Sequence, residues 1–139
     1  MFTIEYTTPA DAEVWLGFDR HMAKDELLRK IPGKRCYLLK EDGKIVGVMR
    51  YNMFWDSIPF LTLIYLGKPA RGKGYGRRAM EHWEAEMSAL GHRLVMTSTQ
   101  VDEEAQHFYR KLGYKDAGCL LLDMEPHRQP AEIFFVKKL

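Results

Sequence analysis

A chain of 139 residues, 46% hydrophobic and 29% charged, has the length and balance of one globular domain spanning residues 1–139, which excludes a disordered or fibrous protein. A formal net charge of +2 excludes a nucleic-acid surface spread over the chain, so any anion site must be local. Cys36 and Cys119 lie in apolar runs without a CxxC pattern and are read as buried free thiols in a reducing compartment. Nothing resembles a leader or the roughly 18-residue apolar run of a membrane helix, so a cytoplasmic protein with no membrane partner is expected.

Phe2, Ile4 and Tyr6 alternate with polar residues, the period of a half-buried strand, and Thr8-Pro9 then reads as a helix start with Thr8 capping. Val14, Trp15 and Phe18 form the inward stripe of that helix. Leu27, Leu28 and Ile31 form that of a second helix, which Pro32-Gly33 stops. Residues 35–41 and 44–53 read as strands joined by a type I′ turn at Asp42-Gly43, with Gly47 marking a bulge. Residues 60–66 are almost uniformly apolar, the pattern of a central strand covered on both faces. Met80, Trp83, Met87 and Leu90 mark one face of a helix ended by Gly91, and Glu81, Glu84, His82 and Glu86 are placed on its solvated side, with no metal site. A strand over 93–98, a helix carrying Ala105, Phe108, Tyr109 and Leu112, and strands over 117–124 and 131–136 complete the order β-α-α-β-β-β-α-β-α-β-β.

Between the apolar strand and the third helix lies Arg71-Gly72-Lys73-Gly74-Tyr75-Gly76. Glycines there let backbone N–H groups converge on an anion, and a helix beginning near Gly74 would aim its unsatisfied N–H groups at the same place. Arg71, Lys73, Arg77 and Arg78 crowd that helix start, where cations are disfavoured, so a bound polyanion would explain them. Residues 67–73 match GxxxxGK, yet Gly74 stands where a nucleoside-triphosphate loop needs Ser or Thr for magnesium. The glycines also run GxGxG, which breaks the dinucleotide fingerprint GxGxxG.

Arg71-x-x-Gly74-x-Gly76 resembles the Q/R-x-x-G-x-G/A signature of the GCN5-related N-acetyltransferase family, and the element order is similar to that family's from end to end. A second family pattern, Asn followed by A-x-x-F-Y-x-x-x-G-F, is matched by Ala105, Phe108, Tyr109, Gly113 and Tyr114, with Asp102 in place of the Asn. The resemblance implies an α/β protein of the acyl-CoA N-acyltransferase fold, a mixed sheet of about seven strands with about four helices. It implies a metal-free N-acetyltransferase that moves the acetyl group of acetyl-CoA directly to a primary amine of a small molecule or peptide. By the same resemblance, Arg71, Gly72, Lys73, Gly74, Tyr75, Gly76 and Arg77 hold the pyrophosphate. The backbone of Ile64, Tyr65 and Leu66 orients the thioester, and Tyr109 is the general acid toward the CoA thiolate. Asp102, an acceptor only when ionised, departs from the family's Asn.

No carboxylate occurs in 60–66, so no base is assigned; Asp56, Glu26, Glu125 and His127 are distant candidates that read as surface residues. Tyr51, Phe54 and Trp55 are either packing residues or an acceptor-pocket lining. The missing strand carboxylate and Asp102 leave an alternative from another class, a non-catalytic acyl-CoA-binding or sensing module. A homodimer paired through the C-terminal strands is compatible with this order.

Overall fold

The first strand is where the alternation places it: β1 (Phe2–Tyr6) buries Phe2 and pairs antiparallel with β2 (Cys36–Glu41) in the register Phe2↔Glu41 to Tyr6↔Tyr37. The computed structural model describes residues 1–139, and they divide into two units: 1–52 with 62–83, and 53–61 with 84–139. No helix is long and apolar enough to cross a membrane.

In the first unit, the Thr8 N–H and hydroxyl both donate to the Asp11 carboxylate at 2.8 Å, which fixes the single turn Pro9–Asp11 ahead of α1 (Ala12–Phe18). Because α1 begins at Ala12, its buried side chains are Ala12 and Trp15, and Val14 is 48% exposed, contrary to the predicted stripe. In α2 (Lys24–Lys30) Leu27 is fully buried and Ile31 follows it into the core, whereas Leu28 is exposed. These residues close over Cys36 and Leu38 of β2 and Val48 of β3 (Lys44–Phe54).

The β2–β3 turn has the expected form: Asp42 and Gly43 take φ of 50° and 80°, the two left-handed residues of a type I′ hairpin. The register slips between Leu39↔Gly47 and Lys40↔Ile45, so Val46 is the extra residue of the bulge, next to the glycine expected to mark it. Gly47 answers a different constraint. A Cβ there would lie 2.3 Å from the Tyr65 carbonyl oxygen, so only glycine lets β3 approach β4 (Ile58–Leu66) this closely.

The seven strands hydrogen-bond in the order β1-β2-β3-β4-β5-β7-β6, with β5 at Leu94–Gln100, β6 at Lys115–Leu120 and β7 at Glu132–Lys138. β4 and β5 are parallel, and the β1–β2, β2–β3, β5–β7 and β6–β7 pairs are antiparallel, which makes the sheet mixed. β4 is the middle strand but is not covered throughout: its pairing with β5 comprises Phe60↔Met96 and Leu61↔Thr97, and beyond Leu61 both Thr62 and Tyr65 are exposed.

α3 (Tyr75–Ala89) gives Met80 and Trp83 to the core of the first unit, where Trp83 meets Tyr51 at 5.7 Å between ring centroids, and buries Met87 in the second. Gly91, at φ 95°, follows the helix as expected, but Leu90 is 63% exposed. Glu84 corrects the solvated-face reading: 11% exposed, it accepts from the Tyr114 hydroxyl at 2.7 Å and from Lys137 Nζ at 2.8 Å. α4 (Ala105–Lys111) buries Tyr109 against the rings of Tyr114 and Phe135. β6 is shorter than the apolar run 117–124 suggested. Past Leu120 the chain turns on its own interactions, the Gln129 N–H donating to the Leu122 carbonyl at 3.0 Å and Arg128 pairing with Asp123 and Glu125, while Leu121 and Met124 stand exposed. Cys36 is buried as expected; Cys119, on the exposed edge strand β6, is not.

Candidate functional site

In the first unit, β4 runs out at Leu66 into the short turn Lys68–Ala70, anchored by the buried Ala70, and then into the glycine-rich loop. Gly72 and Gly74 take φ of 75° and 79°, and a Cβ at either would meet nothing within 4 Å. The glycines are therefore required by backbone conformation, and the space above them is open to a ligand. The Arg78 N–H donates to the Gly74 carbonyl at 3.2 Å, the first bond of α3, so the N–H groups of Tyr75, Gly76 and Arg77 precede any intrahelical acceptor and lie at the positive end of a 15-residue helix. The glycine conformations and the helix start are those expected from the spacing.

The basic side chains, which a bound polyanion would explain, each also have a partner within the chain. Arg71 Nε donates to the Leu66 carbonyl at 2.8 Å, and its guanidinium lies 5.4 Å from the centre of the Tyr65 ring. Arg77 pairs with Glu81 at 2.8 Å, and Arg78 lies over the Phe2 ring at 5.1 Å. Lys73 Nζ donates to Glu41 at 2.9 Å, and the Tyr75 hydroxyl donates to the same carboxylate oxygen while its ring stacks on Phe2 at 4.2 Å. Tyr75 and Lys73 hold the Glu41 carboxyl below its ordinary range, and Glu41 in turn raises both of theirs. Glu41 carries no motif; the Phe2↔Glu41 register is what brings it to the loop.

In the second unit, the Thr97 hydroxyl donates to the Leu61 carbonyl at 3.0 Å. Burial is the largest influence on the Tyr109 phenol and pushes it above its ordinary pKa, so it is a proton-bearing group at neutral pH. Thr97 escaped sequence reasoning because it sits in a strand without a motif. Asp102 is exposed in the turn before α4. That turn is held instead by Glu103, which accepts from the Gln100 N–H at 3.0 Å, and by Gln106, whose amide donates to the Val101 and Glu103 carbonyls at 2.9 Å.

Of the distant carboxylates, Glu26 pairs with Arg29 and Glu125 with Arg128, while Asp56 lies exposed on the β3–β4 turn with φ 59° and His127 is exposed. Tyr51 is a core residue, Phe54 packs on Phe60 at 6.2 Å, and Trp55 is 79% exposed.

The sequence profile of the Acetyltransferase (GNAT) family matches residues 4–114. No curated protein sequence matches the chain. Among solved structures, Ard1 from Thermoplasma volcanium superposes with a TM-score of 0.85 at 17% identity, over 99% of this chain and 97% of that one. The ribosomal-protein-S18-alanine N-acetyltransferase from Escherichia coli gives 0.82 at 18%, over 99% and 94%. The polyamine N-acetyltransferase of Drosophila melanogaster gives 0.78 at 15%, over the whole of both. At such identities these likenesses establish the fold, and the profile establishes the family. The chain belongs to the acetyltransferase (GNAT) family, and is an acetyl-CoA-dependent N-acetyltransferase.

Proposed function

We propose that Gly72 to Arg77 and the first turn of α3 receive the pyrophosphate of acetyl-CoA, that the backbone of Ile64, Tyr65 and Leu66 orients the thioester, and that Tyr109 protonates the departing thiolate. The open space over Gly72 and Gly74 and the N–H groups opening α3 support the first role. Lys73 and Arg77 add charge once their carboxylate partners are exchanged for phosphate oxygens; Arg71, tied to Leu66, holds the loop to its strand. Asp102 is an acceptor for the cofactor's N–H or O–H groups. The observation that carries the catalytic part is the burial of Tyr109, which raises its phenol's pKa and keeps the proton on it.

The amine lone pair attacks the thioester carbonyl carbon, a strand N–H accommodates the negative charge on oxygen, and the C–S bond breaks as sulfur takes the Tyr109 proton, while nitrogen sheds its extra proton to water and Tyr109 regains one from water. Positioning supplies most of the acceleration. The family assignment does not favour the non-catalytic binding module. The 4–114 match and the near-complete coverage of single neighbouring chains support reading 1–139 as one domain. The exposed free thiol of Cys119 suits a reducing cytoplasm, and the exposed edge strand β6 is the surface for pairing two copies.

Steady-state kinetics with the Tyr109→Phe variant test this. Turnover should fall about 10²-fold, the scale of one general acid, with CoA affinity by calorimetry within about twofold. Equal turnover in the two proteins would remove Tyr109 from the mechanism.

A further inference from the structure

In the first unit, a cavity of about 230 Å³ opens between the end of α1 and β4. Phe18, Leu63 and Tyr65 form apolar walls, with the Phe18 and Tyr65 rings 6.2 Å apart, and the turn Asp19-Arg20-His21 forms the polar side. Tyr65 belongs to the stretch proposed to orient the thioester, so an acceptor assigned to this cavity rests on that reading.

The lining contains one carboxylate, and the fold consumes it. The Asp19 side chain is 0% exposed: Oδ2 accepts from Arg50 Nε at 2.7 Å and from Trp15 Nε1 at 3.3 Å, and Oδ1 accepts from the His21 N–H at 3.1 Å. Asp19 therefore fixes the turn and has no oxygen to offer a ligand's ammonium group. The groups left to meet a ligand are Arg20 and His21, which line the cavity beside it. A polyamine would bring several positive charges to a wall with no available carboxylate and one guanidinium. An amine that carries its own anion complements it.

We propose that the acceptor is a small amine bearing its own anionic group, of the amino-acid type, held in this cavity with Arg20 on the anion and His21 taking the ammonium proton. Imidazole is suited to that transfer because it gains and loses a proton near neutral pH. The groups facing His21 are Asp19 and Arg20 of its own turn and Tyr65 of β4, with Arg50 behind Asp19 and Arg71 behind Tyr65. In the balanced step, one ammonium proton passes to the His21 ring and the freed lone pair forms the C–N bond. As the tetrahedral adduct collapses, the C–S bond breaks. Nitrogen loses its second proton to water, sulfur takes the Tyr109 proton, Tyr109 regains one from water, and the proton on His21 is released to solvent.

The test measures thiol release from acetyl-CoA with free amino acids, their carboxamides and methyl esters, short peptides and spermidine, for the wild type, Arg20→Gln and His21→Gln. Both residues are exposed, and melting curves establish that the variants fold. Free amino acids should be preferred over their carboxamides by about tenfold or more in kcat/KM, the scale of one charge-assisted contact, and Arg20→Gln should erase that preference. His21→Gln should lower kcat for the preferred amine by about 10²-fold and be partly rescued by added imidazole. Preference for a carboxamide, ester, peptide or spermidine, absence of amine-dependent release from every compound, or wild-type kinetics in both variants would overturn the proposal. Failure of the underlying donor reading looks different: the wild type would not bind CoA in calorimetry.

Discussion

The Thr97 hydroxyl donates to the Leu61 carbonyl at 3.0 Å, and the same two residues form a parallel pair of β4 and β5. The Thr97 hydroxyl is thereby held by the central strand itself. Thr97→Val keeps the side chain's shape but deletes the hydroxyl, leaving the Leu61 carbonyl without this donor. Removing one such bond should cost about 1 kcal/mol of stability. Kinetics should show turnover down about tenfold, one order within the usual acid–base contribution, with the KM for acetyl-CoA nearly unchanged. A loss confined to KM would argue that Thr97 serves binding alone.

Tyr109 and Tyr114 predict alkaline instability. Burial raises both phenols, and Glu84, beside Tyr114, raises it further. Above pH of about 10 tyrosines in the unfolded chain ionise while these two keep their protons. The folded state then binds more protons, so its stability is complete below that pH and falls as pH rises past it, by up to about 1.4 kcal/mol per pH unit for each group. Urea unfolding at pH of about 9 to 11 should show this decline, with a shallower slope in Tyr114→Phe. Identical slopes would refute the assignment.

Asp19 and Arg50 form a buried pair, with side chains 0% and 10% exposed. Asp19→Ala leaves the guanidinium without its counter-charge, also strips Trp15 and the His21 N–H of their acceptor, and should cost about 3–5 kcal/mol. Replacing both partners by apolar residues should cost less than Asp19→Ala alone. Chemical denaturation of the two variants decides between them.

Glu41 is the internal competitor for the proposed pyrophosphate cradle, since it engages Lys73 and Tyr75 together. In Glu41→Gln the lysine loses its ion pair, and CoA should bind a few-fold more tightly at low salt, the scale of an exposed pair, with the advantage shrinking as ionic strength rises. Weaker binding in this variant would show that Glu41 organises the loop rather than competing for it.

What the sequence determined alone were features set by a residue's own backbone preferences or by short-range spacing. Asp42-Gly43 make the type I′ turn, Pro9 sits in the first turn after Thr8, Gly91 follows α3, Gly74 precedes it, and the whole element order is observed. The tertiary structure decided everything that depends on which distant segments meet. Strand register sets Glu41 at the glycine-rich loop, while long-range packing buries Glu84 under Tyr114 and Lys137 and ties Thr97 to Leu61. Packing likewise left Val14, Leu28 and Leu90 exposed although their spacing matched an inward stripe. Periodicity states that a helix has an apolar face, but where the helix starts and how far its neighbours reach determine which of those residues leave water.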